Sequence, residues 1–471
     1  MTSVPVPLLS PGFSTERDSP LASLRKRRPI RRATLKALKA KVVRPESSED
    51  LFNAAASSIL ARRSGRVFDV TAPRYANLIR LEPEAAPLTP AEPHGGAGFH
   101  LIDTTMMYAP QSGGVKRYLM AKRAWLSRRR PDVQHTLVVP GARTRHDGDG
   151  VVSVAATRLP FGNGYRMPAS LTKWETVLRL LEPDVIEAGD VFVPGHAALY
   201  AGDALGVPVV GFCHTDAAAL AALHFGEWAE APTFNFWAQA YQRFDHVVAP
   251  SRHMAARLAD AGVHRLSIQQ LGVDTALFDP ARGDRAKLLR KLGLSAETRL
   301  LVFAGRPARE KNIDSMVAAV ERLGAPYKLL LVGAGKDAAW SPSVISLDFE
   351  RDPVRLAALL ASCDAALHAN ENEIFGLFVL EAMAAGLPVV GSRRGGVGEL
   401  IDASVGQPAE NVEPAGLAEA IEALFARDLP ALSAAARRRA ETRHGWDATF
   451  EALARLYGHL IADRQPLALT A

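Results

Sequence analysis

The sequence predicts an α/β protein of two doubly wound domains facing each other across a cleft, with a basic extension in front of them. Three observations lead there. Short apolar runs alternate with longer amphipathic ones from residue 99 onward, these runs fall into two successive series, and the charge balance changes near residue 98. Continuous Val/Leu/Ile strands separated by helices imply parallel sheets covered on both faces and joined by right-handed crossovers. A chain of 471 residues, 48% hydrophobic and 23% charged, has the length for about two to three domains and an ample core.

The extension comes first. Residues 1–98 hold 16 Lys and Arg against 9 Asp and Glu, a net of +7, which leaves −1 for the rest of a chain whose total is +6. Within it, "RKRRPIRRATLKALKAKVVR" (25–44) has ten basic residues and no acid, with Leu35, Leu38 and Val42 at helical spacing. Two readings stand side by side: a basic amphipathic helix suited to an anionic membrane surface, or a disordered, solubilising and nucleic-acid-sticky tail without a specific nucleic-acid partner. The Pro- and Ala-rich "PEAAPLTPAEPHGGAG" (83–98) reads as a linker. No apolar run approaches the roughly 18 residues that span a bilayer, and the N-terminus lacks a signal peptide's apolar stretch. The expected location is cytoplasmic, peripheral at the inner membrane face if the 25–44 helix forms. Cys213 and Cys363, the only cysteines, are expected to be reduced core thiols.

The first strand series reads "HLIDTTMM", "HTLVVPG", "VVSVAA", "DVIEAG", "PVVGFCH" and "HVVAPS"; the second reads "LLVFAG", "KLLLVGAG", "VISLDF", "DAALHA" and "PVVGS". The join falls near "QQLGVDTALFDP" (269–280), where Gly, Asp and Pro punctuate the chain before a charged helix. Open α/β sheets bind ligands beyond the carboxyl ends of their strands, so the chemistry is expected between the domains.

One stretch carries most of that chemistry. "NENEIFGLFVLEAMAAGLPVV" (370–390) follows a strand, and Gly386 is a natural helix stop, so a helix is expected from about Phe375 or Gly376 to Ala385. Its first turn offers unpaired N–H groups and the positive end of the helix dipole, and Gly376 lets an anion approach the backbone, which makes a phosphate seat. Glu381 lies one turn beyond Leu377 on the same face, about 6 Å along the axis. A diphosphate at the helix start would bring a ribose to Glu381, and Glu373, in the loop ahead, would meet a sugar on the other side. The bland alternative is that Glu381 is a partnered buried charge and Glu373 a first-turn acid; the pair together with the glycine favours function.

The stretch resembles the E-x7-E motif of retaining glycosyltransferases with the GT-B fold, specifically of the large family 4. The resemblance runs from about residue 99 to 463, some three quarters of the chain, and leaves out the extension. It implies a Rossmann-like acceptor domain at 99–280, a Rossmann-like donor domain at 281–443, and a helix at 444–463 ("WDATFEALARLYGHL" and flanks) that crosses back to the first domain. "YAPQSGGVKRYL" (108–119) resembles the family's glycine loop, placing Gly113 and Gly114 near the donor phosphate. "FAGRPAREKN" (303–312) resembles its phosphate-binding segment, implying a cationic clamp of Arg306 and Lys311. "VVGFCHTD" (209–216) resembles the segment with an active-site histidine, here His214, with Asp216 as an acceptor-side candidate. Phe375, Gly376 and Leu377 complete the implied donor site. Taken alone, Arg306 and Lys311 read as a solvated loop and His214 as a satisfied strand-end histidine.

The chemistry these pieces would share is charge management. Breaking a glycosyl phosphate bond puts positive charge on the anomeric carbon and negative charge on the leaving diphosphate, which Arg306, Lys311 and the helix N-terminus could stabilise without a metal. No residue is an obvious nucleophile, and front-face attack with retention follows from the resemblance alone. The donor is expected to be a GDP- or UDP-sugar, mannose or glucose, since "CHTDAAAL" and "DVIEAGD" look like those of GDP-mannose enzymes while the family also holds UDP-sugar enzymes. The acceptor is a glycan or lipid-linked hydroxyl, and "LPFGNGYRMPAS" (159–170) is its expected loop. A nucleotide-sugar epimerase of the same fold and a non-catalytic nucleotide-sugar-binding protein are the alternatives.

Three segments imitate other motifs. "DGD" (147–149) mimics a metal-binding Asp-x-Asp but reads as a loop between short strands. "GAGK" (333–336) hints at a P-loop, yet Leu330 and Asp337 stand where Gly and Ser/Thr belong, so a strand-to-helix turn near the nucleotide is expected. "GGVGE" (395–399) matches a family loop, with Glu399 read as structural.

Overall fold

A computed structural model describes residues 98–110, 113–159, 164–336 and 340–464; the 25–44 segment and the 83–97 part of the linker lie outside the described residues. The first sheet comprises β1 (His100–Thr104), β2 (Gln134–Gly141), β3 (Arg145–Gly148), β4 (Val151–Ala155), β7 (Val185–Ala188), β8 (Val209–Phe212), β9 (His246–Ala249) and β10 (Leu266–Ile268). Thr157–Arg158 and Arg166–Met167 pair as a small separate hairpin, β5 and β6. The second sheet comprises β11 (Arg299–Ala304), β12 (Tyr327–Val332), β13 (Val344–Leu347), β14 (Ala365–His368), β15 (Val389–Ser392) and β16 (Gly406–Ala409). Helices α1 (Gly114–Arg129), α2 (Leu171–Leu180), α3 (Val193–Leu205), α4 (Ala217–Phe225), α5 (Glu230–Tyr241) and α6 (Arg252–Asp260) go with the first sheet. Helices α7 (Arg285–Leu292), α8 (Ile313–Leu323), α9 (Pro353–Leu360), α10 (Leu377–Ala384), α11 (Pro414–Phe425) and α12 (Leu429–Arg443) go with the second, and α13 (Trp446–Arg464) ends the described chain.

Strand order is β10-β9-β8-β7-β1-β2-β4-β3 in the first sheet and β13-β12-β11-β14-β15-β16 in the second. All pairings are parallel except β3 with β4. This is the doubly wound pattern that near-continuous apolar strands dictate, since a sheet clad on both faces has no polar side to show. Leu329, Leu330 and Leu331 are all fully buried on successive, opposite faces of β12. In each sheet the order reverses beside the first strand, between β1 and β7 and between β11 and β14. Chains leaving the carboxyl ends there diverge and open a crevice.

Local chemistry fixes the helix starts. Ser170, Asp216, Ser251, Asp284, Asp352 and Asp428 each cap a helix by accepting a backbone N–H. The last helix returns to the first sheet's domain: Phe450 packs 5.7 Å from the Tyr118 ring, and Arg464 pairs with Asp245.

Several expectations need correcting. Residues 145–148 are a strand rather than loop, and the chain turns back into β4 through Gly148, Asp149 and Gly150, all at positive φ. "GAGK" does not lead to a helix among the described residues; Gly333 and Gly335 both donate their N–H to Leu347 O, so the segment folds onto β13. The helix after Gly376 starts at Leu377 and ends at Ala384. One expectation stands: Cys213 and Cys363 are free and buried.

Candidate active site

The crevices of the two sheets meet in a cleft of about 570 Å³. Gly113, Gly114, His214 and Asp216 line it from the first domain. Arg306, Lys311, Glu373, Phe375, Gly376 and Leu377 line it from the second. Glu381 does not; it is buried one turn inside α10, at 4% exposure, behind Arg117, which lines the cleft.

The donor-side geometry follows from the β14–α10 connection. Gly376 caps α10 with φ +103°, and a Cβ there would stand 2.8 Å from Val397 Cγ2, so glycine is required both by backbone and by space. Leu377 and Phe378, the first two residues of α10, line the cleft, and the first N–H groups of a helix lack intrahelical partners. Ahead of them, Glu373 Oε2 accepts from Lys311 Nζ (2.6 Å) and Asn370 Nδ2 (3.0 Å), with His368 Nε2 at 3.6 Å. Burial alone would raise the Glu373 carboxyl, but the Lys311 ammonium and the nearby His368 imidazole override it and hold the group well below the usual carboxylate range. Two residues expected to act on different parts of a ligand are thus tied to each other. Arg306 is exposed and makes no ion pair or hydrogen bond among the described residues, which leaves its full charge to the cleft.

Across the cleft, His214 stacks on Phe212 at 4.2 Å and lies 4.7 Å from the Tyr118 ring. Burial, helped by the nearby Lys122 ammonium, lowers its pKa to about 3, so the imidazole is neutral; its Nε2 has no hydrogen-bond partner among the described residues. Asp216 has both oxygens engaged, Oδ1 with Ala219 N (3.0 Å) as the α4 cap and Oδ2 with Arg257 (2.8 Å). Apart from Thr215, the remaining first-domain wall is mainly apolar and includes Met106, Met107, Leu159, Tyr165, Leu220 and Leu223. Two of these, Leu159 and Tyr165, belong to the expected acceptor loop, whose residues 160–163 lie outside the described chain.

The domains touch through specific pairs. Arg117 donates to Glu381, a Cβ on Gly114 would stand 3.2 Å from Leu377 Cδ1, and Glu399 accepts from Arg252 N (3.1 Å) and His253 N (2.7 Å) at the start of α6. Glu399 is therefore structural, as a cap supplied by one domain to a helix of the other. Burial raises the Glu381 carboxyl, and Arg117 opposes that shift.

Sequence reasoning missed a buried charge network behind His214. Lys122 Nζ donates to Asp103 Oδ1 (2.8 Å), Glu187 Oε1 (2.7 Å) and Tyr457 OH (3.1 Å), and Tyr118 OH donates to Glu187 Oε1 (2.9 Å). Asp103 Oδ2 also meets His135 Nε2 at 2.7 Å, and Tyr457 donates to Glu187 Oε2. The readable signal was an acid inside each of two apolar strands. Asp190 was missed as well; it accepts from Thr105 Oγ1, Met106 N and Phe192 N and so shapes the cleft wall at Met106. Among the described residues no group of three or more His, Cys, Asp or Glu is placed to hold a metal ion.

Two parallel-sheet domains with opposed crevices, an E-x7-E helix in one and a glycine-led helix in the other define a GT-B glycosyltransferase. Residues 112–277 match the model of Glycosyltransferase Family 4, and residues 298–427 match that of Glycosyl transferases group 1. The chain belongs to glycosyltransferase family 4 and is a glycosyltransferase. It is 30% identical over 364 residues to a Mycobacterium tuberculosis GDP-mannose-dependent alpha-(1-6)-phosphatidylinositol dimannoside mannosyltransferase, covering 72% of this chain and 91% of that one. It is 29% identical over 285 residues to a Corynebacterium glutamicum GDP-mannose-dependent alpha-mannosyltransferase, covering 57% and 67%. Among solved structures, Anabaena HepE in complex with UDP and glucose shares the fold at TM-score 0.61 and 20% identity, over 77% of this chain and 100% of that one. Sucrose-phosphate synthase from Thermosynechococcus elongatus does so at TM-score 0.64 and 18% identity, over 77% and 100%.

Proposed function

We propose that the protein transfers a mannosyl group from GDP-mannose to a hydroxyl of a glycan or lipid-linked acceptor, with retention at the anomeric carbon. The observation that carries this is the Glu373 carboxylate, held ionised by Lys311 beside the open N-terminus of α10 and across the cleft from a neutral His214. In this reading the diphosphate seats on the α10 N–H groups. Lys311 and Arg306 take up the charge that grows on it as the glycosyl bond breaks, and the preformed dipoles need no reorganisation. Glu373 then lies on the sugar's side, where a fixed negative charge steadies a cationic anomeric carbon. His214 Nε2, lacking a partner, hydrogen-bonds the donor sugar.

Clustered cations and a helix dipole supply this stabilisation without requiring a metal. The named relatives that use GDP-mannose support the choice of donor, and the apolar first-domain wall suits an amphiphilic acceptor. The 25–44 segment, if helical, would hold the enzyme at an anionic membrane face.

The test is a thermal-shift and calorimetric screen of GDP, UDP, ADP and their sugar conjugates with and without magnesium or chelator, since a ligand of the folded state must raise apparent stability. GDP and GDP-mannose binding that ignores chelator is the expected result. Preference for UDP would replace the donor, and binding by none would sink the donor-site reading. The product's anomeric configuration, read by NMR on an added acceptor, tests retention.

A further inference from the structure

We propose that Arg117, on the acceptor domain, belongs to the donor-nucleotide subsite as the positioning residue that keeps Glu381 ionised with one carboxylate oxygen open to the ribose. The inference rests on the donor-site reading above and deepens it. Arg117 and Glu381 stand 264 positions apart, yet the guanidinium donates to Glu381 Oε1, and Arg117 itself lines the cleft. Glu381 Oε2 makes no hydrogen bond with any described residue. A ribose offers hydroxyl donors, and an ionised carboxylate is the stronger acceptor for them, with no proton of its own in the way.

Nothing else near Glu381 can keep it charged. Of the elements packed on α10, β14 presents His368, which stacks on Phe378 and faces Glu373. From α12, Arg437 is spent on the carbonyls of Ala384, Phe278 and Thr275 and on Glu441. On α1, Lys116 reaches the Pro110 carbonyl. Glu381 is buried, and a buried carboxylate without a counterion protonates rather than remain charged. Arg117 is held to its task by geometry as well. It sits one turn after Gly114, which lies against Leu377 at the start of α10, so the glycine contact sets the distance between α1 and α10.

The experiment is isothermal calorimetry of GDP, with UDP and ADP alongside, binding to the full chain from pH 6 to pH 9, for wild type, Arg117→Lys, Arg117→Met, Glu381→Gln and the Met/Gln double variant. With Arg117 gone, burial favours the protonated carboxyl while the ribose is best met by the ionised one, so binding expels a proton and affinity must rise with pH. Relative to wild type at each pH, Arg117→Met is expected to be several-fold weaker at the acid end of the range than at pH 9. Arg117→Lys keeps the wild-type profile, and adding Arg117→Met to Glu381→Gln costs nothing further. An Arg117→Met profile parallel to wild type overturns the inference, whether its affinity is unchanged or tighter; a tighter one would make Arg117 a competitor for the carboxylate. Wild type that binds none of the three nucleotides overturns the donor-site reading and this inference with it. Binding by wild type with an indifferent Arg117→Met overturns this inference alone.

Discussion

Replacing Lys122 with methionine should test the buried network more sharply than any change in the cleft. The ammonium is 2% exposed and bonds two carboxylates, Asp103 and Glu187, that are each 1% exposed. Methionine preserves the volume and the aliphatic packing, so the loss is almost wholly electrostatic. Removing one partner of a buried ion pair costs about 3–5 kcal/mol because the other is left uncompensated. At about 2–4 °C per kcal/mol for a domain of this size, the first thermal transition should fall by roughly 6–20 °C at pH 8.

The pH dependence has a definite sign. Burial raises Asp103, but Lys122 outweighs it and holds Asp103 below its unfolded value; that contribution is complete above about pH 4 and constant through neutrality. Glu187 is raised to about 7 by burial, against Lys122, so its folded form binds the extra proton and the wild type loses stability as pH climbs from the unfolded value toward 7. Without Lys122 both carboxyls move up and take protons when folded. The Lys122→Met deficit should therefore shrink steadily from pH 8 to pH 5, and adding Asp103→Asn and Glu187→Gln should recover part of it at pH 8. Differential scanning calorimetry across that range decides. A variant within 2 °C of wild type at every pH, or a deficit that grows on acidification, would refute the reasoning.

Other outcomes follow from single contacts. Glu373→Ala should lower turnover far more than GDP affinity, because the carboxylate sits ahead of the phosphate seat, whereas Glu381→Ala should weaken both; kcat, KM and calorimetric Kd together separate the two. Gly376→Ala must adopt a left-handed backbone and push its Cβ into Val397, a cost of about 1–2 kcal/mol for the backbone alone, and nucleotide binding should drop as α10 shifts. Glu399→Ala strips α6 of a cap that crosses the cleft, so small-angle scattering should show a wider particle and stability should fall by about 1 kcal/mol. Sedimentation with anionic liposomes should be lost on deleting residues 1–98; undiminished binding would dismiss the 25–44 helix as the anchor.

Much of the fold was legible because parallel strands advertise themselves. The eleven apolar runs read from the sequence are all strands, since burial on both faces leaves Val, Leu and Ile little competition there. The strands that escaped are short or polar. Arg145–Gly148 is exposed throughout and held only by its hairpin with β4, and Leu266–Ile268 sits at a sheet edge with mixed burial. Periodicity cannot see a strand whose side chains meet water. The loop and helix at 373–384 were legible for a different reason: Gly376 and the two glutamates are local in sequence.

What stayed hidden needed the third dimension. "GGVKRYLMAKRAW" carries Lys116, Arg117, Lys122 and Arg123 with no acid among them, and nothing in it says that Lys122 turns inward to two acids while Arg117 crosses to the other domain. Lys122 and Tyr457 are 335 positions apart. The acids inside "HLIDTT" and "DVIEAG" were the visible half of that bond, for a charge in a doubly buried strand must find a partner.

The two kinds of hidden contact meet on α1, and that has a mechanistic consequence. Gly114 and Arg117 touch the donor domain's α10, while Tyr118 and Lys122, on the next turn and beyond, bind α13 through Phe450 and Tyr457 and pack on His214. The terminal helix α13 follows directly from the donor domain's α12. One helix therefore reads the position of the second domain twice, at its N-terminus through Glu381 and in its middle through the returning chain. A shift of one domain against the other cannot change the Arg117–Glu381 contact without also straining the Tyr118 wall of His214. Substitution of Tyr457 by phenylalanine, remote from the cleft, should accordingly lower kcat while leaving GDP affinity near wild type. Equal losses in both, or none in either, would mean that α13 only anchors the domains.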